Sequence, residues 1–411
     1  MHVVIVGGGA AGMMAAIAAA ESGAQVTVLE RNPRVGKKLL MTGNGRCNYT
    51  NTHASDPAHY HGLDTAGIEA VLSSMTVDKL IDLFSRLGIS PLIEEEDRVY
   101  PRSEQAASVL DALRFALDDL GVSVLCDTEV QGLIRSGNSW RIECRESRPL
   151  EADRVILAAG GKAVPNTGSD GSGYVLACGA GHSLRTPFPA LTQLKLEGDF
   201  YPRLKGVKWK GSARLVSGQK RSEILYGDLL FTDYGISGPP ILDLSGHVSE
   251  WTEAGLFPSV EVSLFPDLTA GDIADDLINR SVNLPERPLQ EGLVGLVNKR
   301  LILVLLALEG LDKHMPMKQV REGQWRALAK RMTQWTLPVK GARSWPNAQA
   351  SGGGILLSEV DPASMESRVA QGLYLAGELL DVYGDCGGYN LHWAWLTGRL
   401  AGLAASQENQ V

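Results

Sequence analysis

The first thirty residues leave this chain few choices. His2–Val6 is an apolar, β-branched run, Ala10–Ser22 is alanine-rich and helix-like, and Gln25–Glu30 reads as a second strand, so a βαβ unit opens the sequence. At the first junction stands Gly7-Gly8-Gly9-Ala10-Ala11-Gly12, a GxGxxG spacing. Gly7 makes the tight turn, Gly9 lets backbone approach a pyrophosphate, and Gly12 lets helix and strand pack closely. Ala11 lies in the same turn, and the helix N-terminus faces the phosphate charge. Glu30 ends the second strand, where a carboxylate can accept hydrogen bonds from the adenosine ribose. A strand before, a helix after and an acid in place turn a weak motif into a specific dinucleotide site.

Two later segments select the dinucleotide. Val155-Ile156-Leu157-Ala158-Ala159-Gly160-Gly161 resembles the strand-then-glycine motif of two-dinucleotide-fold flavoproteins, and Gly372–Glu378 resembles their C-terminal strand. The resemblance implies that Glu378, after Gly377, holds the ribitol of FAD. A helix starting near Gly387-Gly388-Tyr389-Asn390 could aim its N-terminus at the flavin pyrimidine edge. No second complete GxGxxG is present, so NADH or NADPH is expected to dock only transiently as electron donor.

The 411 residues suggest two or three domains. A stretch richer in short strands and then helices, residues 190–345, separates two glycine-rich, apolar segments. The expected fold is α/β: a Rossmann-type two-dinucleotide-fold FAD domain formed by residues 1–189 and 346–411, with an inserted β-barrel-plus-helical substrate domain at 190–345. Five scattered cysteines without a CxxC pair argue against a disulfide framework or a zinc site, and no metal-ligand spacing stands out. The start lacks the pattern of a signal peptide and no apolar run is long enough for a membrane span, so the expected location is the cytoplasm. The oligomeric state is not legible.

Long strings then tie the chain to a family. Gly36–Asn48 (GKKLLMTGNGRCN), Tyr100–Ser103, Pro165–Tyr174, Leu230–Pro239, Met365–Ser367 and Gly387–Leu391 resemble the BaiN/RdsA-type FAD-dependent flavoproteins, almost end to end. The resemblance implies noncovalent FAD and the inserted barrel domain. It also implies one of several activities: reduction of a carbonyl-conjugated C=C bond in bile-acid intermediates, dihydrouridine formation in ribosomal RNA, or oxidation of small amines by oxygen. Arg31, Lys38 and Thr167, in loops flanking the motifs, join Gly388, Tyr389 and Asn390 as candidate cofactor contacts.

Gly43-Asn44-Gly45-Arg46-Cys47-Asn48 is too polar for core packing, and its N–H groups could face the flavin. Arg46 could bind phosphate or a substrate oxygen. Cys47 is the candidate acid, since an ordinary thiol is protonated at neutral pH, or else it packs beside the cofactor. His392 reads as a supporting histidine, Gly398-x-x-x-Gly402 as helix packing, and no Ser-His-Asp arrangement stands out.

The preferred function is hydride transfer from reduced FAD to a carbonyl-conjugated C=C bond, in a small enone or in uracil of RNA. A peroxide-producing amine oxidase and a flavin redox sensor without turnover are the alternatives. Charge bears on the partner. Residues 190–345 hold 20 Lys and Arg against 18 Asp and Glu, while the rest holds 19 against 29. Arg203, Lys205, Lys208, Lys210, Arg214, Lys220 and Arg221 fall in one stretch without an acid, readable as a solvated strand edge or as a face for structured RNA.

Overall fold

Every strand of the central sheet runs parallel to its neighbours. The order is Leu373–Leu375, Arg154–Leu157, His2–Val6, Gln25–Leu29, Ser123–Leu125, with the opening strand in the middle. The chain builds outward on one side of that strand and then returns to the other, so the order reverses between His2–Val6 and Arg154–Leu157. Registers place Val6 beside both Leu29 and Leu157, and Leu157 beside Leu375. Four strands therefore end in one row, and the loops that follow emerge at one edge. A crevice at the carboxyl ends of parallel strands, at the point where strand order reverses, is where α/β sheets bind ligands.

The computed structural model describes residues 1–94 and 97–407. It divides into two compact units, Met1–Pro189 with Trp345–Val411, and Ala190–Ser344. In the first, the opening helix Ala10–Glu21 lies against the C-terminal helix Tyr389–Ala405. The contact is close because Gly398 and Gly402 present no side chain: a Cβ would stand 2.3 Å from Ala11 O and 2.3 Å from Ala15 O, respectively.

The second unit has its own core and a closed antiparallel barrel. Strands Lys208–Ser217, Leu225–Phe231, Gly235–Ser237, Leu194–Leu196, Trp335–Ala342 and Ser259–Ser263 pair in turn, and the last pairs back to the first. Four helices of ten or more residues accompany it, Pro239–Glu253, Ala270–Asn283, Lys299–Leu308 and Glu322–Thr333.

Two local expectations are corrected. Val122–Cys126 reads in sequence as part of an antiparallel insert with Glu129–Arg135 and Ser139–Glu143. Instead Ser123–Leu125 extends the parallel sheet, and the antiparallel trio is completed by Leu150–Ala152. A short strand carries too little pattern to reveal its partner. Leu289–Leu308 reads as one helix but is broken into Leu289–Gly292 and Lys299–Leu308, with Asn298 capping the second through Arg300 N–H at 2.9 Å.

Candidate active site

The loops at the sheet edge line a cleft opening onto about 1230 Å³ of empty space. Gly7, Gly9, Ala11, Glu30, Arg31, Lys38, Ala159, Gly160, Thr167, Gly377, Glu378 and Asn390 all line it, as do Leu39, Thr42, Gln349 and Leu391. Gly12 lies beneath: its Cβ would sit 1.9 Å from Gly7 O, the close helix-to-strand approach that the motif requires. Gly7 has φ +106° and a Cβ there would stand 2.5 Å from Ala158 O, so only glycine fits the turn.

Polar groups along this cleft are arranged in advance. Glu30 Oε2 accepts from Gly8 N–H at 2.8 Å, and its Oε1 accepts from Asn32 N–H at 2.8 Å and Asn32 Nδ2 at 2.7 Å. Glu378 Oε1 accepts from Ser351 N–H at 2.9 Å and Ser351 Oγ at 2.8 Å, while its Oε2 pairs with Lys38 Nζ. Arg31 grips Asp170 through two bonds, of 2.9 and 2.6 Å, and reaches Ser172 Oγ at 2.9 Å. Asn32 Nδ2 donates to Thr167 O at 3.1 Å and Lys37 Nζ to Asn166 O at 2.7 Å. Thus the segment after the second strand is strapped to the 166–172 loop.

Dinucleotide chemistry fits these residues. The opening helix has no side-chain cap and no acid in its first turn, and a Cβ on Gly9 would meet nothing within 4 Å. Its first N–H groups are left for an anion, which the helix dipole also favours. The C-terminal helix likewise begins at Gly388 without a side-chain cap or first-turn acid, and Asn390 and Leu391 in that first turn reach the cleft.

Other residues of the predicted site stand outside the lining itself. Gly43, Asn44, Gly45, Arg46, Cys47, Gly388 and Tyr389 are not among the lining residues. Gly43, Asn44, Gly45 and Cys47 have φ of 54°, 55°, 86° and 61°, so the glycine content of this motif serves a left-handed turn. Arg46 turns to Glu94 at 2.5 Å and to Glu104, with its guanidinium 4.2 Å above the Tyr100 ring. Cys47 is fully buried, and its thiol is pushed up to about 12 by burial, a rise that a hydrogen bond with Thr42 partly opposes. Arg46 already has two carboxylates, and the burial of Cys47, whose hydrogen-bond partner Thr42 lines the cleft, favours the alternative that it packs beside the cofactor.

Sequence reasoning also missed a buried relay. His182 Nδ1 lies 3.0 Å from Glu359 Oε2, and His182 Nε2 lies 2.8 Å from Ser367 Oγ. The connectivity is that of a hydrolytic triad on residues 177 and 185 positions apart, a distance no local pattern reveals. Yet Ser367 Oγ also accepts from Val369 N–H at 3.0 Å and Ala370 N–H at 2.7 Å, which occupies the lone pairs a nucleophile needs. It is a structural lock.

A family model described as HI0933-like protein Rossmann domain matches residues 1–404. The chain belongs to the HI0933-like family. It is 40% identical to the 3-dehydro-bile acid delta(4,6)-reductase of Clostridium scindens over 98% of both chains. It is 28% identical to the ribosomal RNA dihydrouridine synthase of Haemophilus influenzae, again over 98% of both. Among solved structures, 3-ketosteroid delta1-dehydrogenase from Sterolibacterium denitrificans shares the fold at TM-score 0.52 and 14% identity, covering 98% of this chain and 99% of that one. The cleft is therefore that of a Rossmann-type, FAD-binding flavoprotein of the oxidoreductase class. Among the described residues no helix is long and apolar enough to cross a membrane, and no group of three His, Cys, Asp or Glu is placed to hold a metal.

Proposed function

We propose that this HI0933-like protein reduces a C=C bond conjugated to a carbonyl in a small molecule, drawing electrons through FAD from a nicotinamide donor that docks transiently. The observation that carries this reading is the 40% identity, with 98% coverage of each chain, to a reductase named for the delta(4,6) unsaturation of a 3-dehydro-bile acid. The cleft supports it. Bound FAD supplies hydride chemistry. Gly7, Gly9 and the opening helix would hold its pyrophosphate, Glu30 its adenosine ribose, and Glu378 with Lys38 its ribitol. The uncapped start of the C-terminal helix offers N–H donors and a positive dipole end where negative charge develops during reduction.

The test is anaerobic. Holoprotein reduced by NADH or NADPH is mixed with a 3-dehydro-delta(4,6) bile acid, the compound class of the C. scindens relative. Return of oxidised-flavin absorbance, with a product two hydrogens heavier, is the expected result. No reoxidation by the dienone, with rapid reoxidation by oxygen after reduction by a primary amine, would replace this reading with an oxidase.

A further inference from the structure

Reducing a conjugated C=C bond consumes a proton as well as a hydride, and the buried Cys47 does not line the cleft. His182 and His392 are buried imidazoles, locked against Glu359 and Ser367 and against Thr50. His2 sits at the opposite end of the opening strand from the glycine turn, His53 pairs with Asp97 at the surface, and His247 and His314 belong to the other unit. His59 and His61 remain.

Both imidazoles meet one carboxylate. His59 Nδ1 lies 3.0 Å from Asp385 Oδ2, and His61 Nε2 lies 2.7 Å from Asp385 Oδ1. Local structure makes this possible. Tyr60–Gly62 pairs antiparallel with Val382–Gly384, and Asp385 N–H donates to His59 O at 2.9 Å. His61 is a strand residue and His59 closes the short 3-10 turn Pro57–His59 just before it, and both side chains reach the same carboxylate. Asp385 then leads through Cys386, Gly387 and Gly388 into the C-terminal helix. His59 stacks on Tyr389, the first helical residue, at 4.4 Å and 23°. Asn390 Nδ2 donates to Gly384 O at 2.8 Å and to Asp385 O at 3.4 Å, while Asn390 itself lines the cleft. The cluster is thus fastened to the end of the helix that faces the cleft. It is also partly open, with side-chain exposures of 34% for His59, 19% for His61 and 23% for Asp385, so water can recharge it.

We propose that the His59–Asp385–His61 cluster is the proton store for reduction at this cleft, with Asp385 the positioning residue that holds both imidazoles. The role rests on the reading of the cleft as a site of conjugated C=C reduction. The balance is simple. Bound FAD, reduced by the nicotinamide donor, would supply the hydride for the β-carbon, and the π pair of the C=C bond would move toward the carbonyl as an enolate. His59, His61 and Asp385 do not themselves line the cleft, so the proton of the new α-carbon C–H bond comes through water in the cleft, is replaced by an imidazolium proton of the cluster, and is in turn regained from bulk water. Burial raises the Asp385 carboxyl, but the hydrogen bonds from His59 and His61 outweigh it and hold the group below its usual range. The carboxylate thus holds one hydrogen bond to each imidazole. The other titratable groups shown against the cluster are Tyr389, stacked on His59, Tyr383, tilted against His61, and Tyr60, which the Asp385 charge affects.

Charge gained at the cleft on reduction should draw a proton onto this cluster even without substrate. The potential of FAD bound to the whole protein, measured between about pH 5 and pH 9, therefore tests it directly. Across the pH range where the cluster gains its proton on reduction, the wild-type line should be steeper than that of Asp385→Asn. The difference should be one proton per two electrons, or about 30 mV per pH unit, a tenfold change in equilibrium constant. His59→Gln and His61→Gln should each lie between, and they carry the test if Asp385→Asn does not retain FAD. Single-turnover reoxidation by the dienone should also slow on the order of 100-fold in Asp385→Asn at alkaline pH, with unchanged substrate affinity. A wild type that ignores the dienone removes the enone reading but leaves the potential measurement standing. Parallel lines for all four proteins overturn the proton store, whatever the dienone does.

Discussion

Glu30 enters the cleft with three protein hydrogen bonds already on its carboxylate, from Gly8 and twice from Asn32. A carboxylate has about four lone-pair sites, so capacity remains for a ribose hydroxyl. Glu30→Ala should weaken FAD binding by roughly 1.5–3 kcal/mol, the range for a hydrogen bond to a charged group, and Glu30→Gln should lose less. Fluorescence titration of apoprotein with FAD reads this directly, and an unchanged Kd would move the ribose elsewhere. His392 supports a different prediction. It is fully buried, and burial lowers its pKa from 6.5 to about 4. The unfolded chain therefore binds the proton first, so stability is complete above about pH 6.5 and is lost as pH falls toward 4. The loss should approach about 3 kcal/mol, and His392→Gln should flatten that part of a denaturation-versus-pH curve. An unaltered slope would assign acid sensitivity to other groups, such as His182, whose pKa burial also lowers against the opposing pull of Glu359. The placement of Gly7 and Glu30 at the cleft, set by a local backbone turn and the end of a strand, was legible in sequence. Arg46 was not, because Glu94 and Glu104 stand 48 and 58 positions away.

The C-terminal helix does two jobs at the level of elements. Its first turn reaches the cleft, and its later turns lie so close to the opening helix that Gly398 and Gly402 meet carbonyl oxygens of that helix. Gly398→Val should force the helices apart and cost on the order of 1–3 kcal/mol, with FAD affinity falling too because the same two helices present their N-termini to the cleft. Thermal denaturation with and without FAD separates the effects; a variant that melts like wild type would show that the contact yields without cost. The glycine spacing and the βαβ unit were readable because period and punctuation are local. Ser123–Leu125 was not, since three residues cannot say whether their partner is the preceding parallel sheet or the next hairpin. The His59–Asp385–His61 cluster escaped for the same reason: its two halves are 326 and 324 positions apart and become neighbours only when two three-residue strands pair.

At the scale of the whole molecule, the two units differ in charge, and this bears on small-molecule and RNA substrates as rival readings. The basic run from Arg203 to Arg221 has no acid within it, but the barrel brings acids to it from neighbouring segments. Lys205 pairs with Asp233 at 2.9 Å, Lys208 with Asp228 at 2.7 Å and Arg214 with Glu261 at 2.5 Å. Lys220 lies 4.5 Å over the Trp251 ring. Alternation does place Lys208 and Lys210 outward on either side of half-buried Trp209, as a phosphate-tracking ribbon requires. Still, a cation already beside a carboxylate gains less from a phosphate, because it must give up or share that partner. Phosphate-driven association depends on the number of unneutralised cations and falls steeply with salt. We therefore expect structured RNA to bind the full protein only weakly at about 50 mM salt, with a shallow salt dependence. Replacing Lys205, Lys208 and Lys210 together by Glu should then change RNA binding little and leave the flavin spectrum intact. Tight binding that collapses both with added salt and in this triple variant would reverse the conclusion: the barrel would be an RNA face, and uracil would displace the small enone as the substrate.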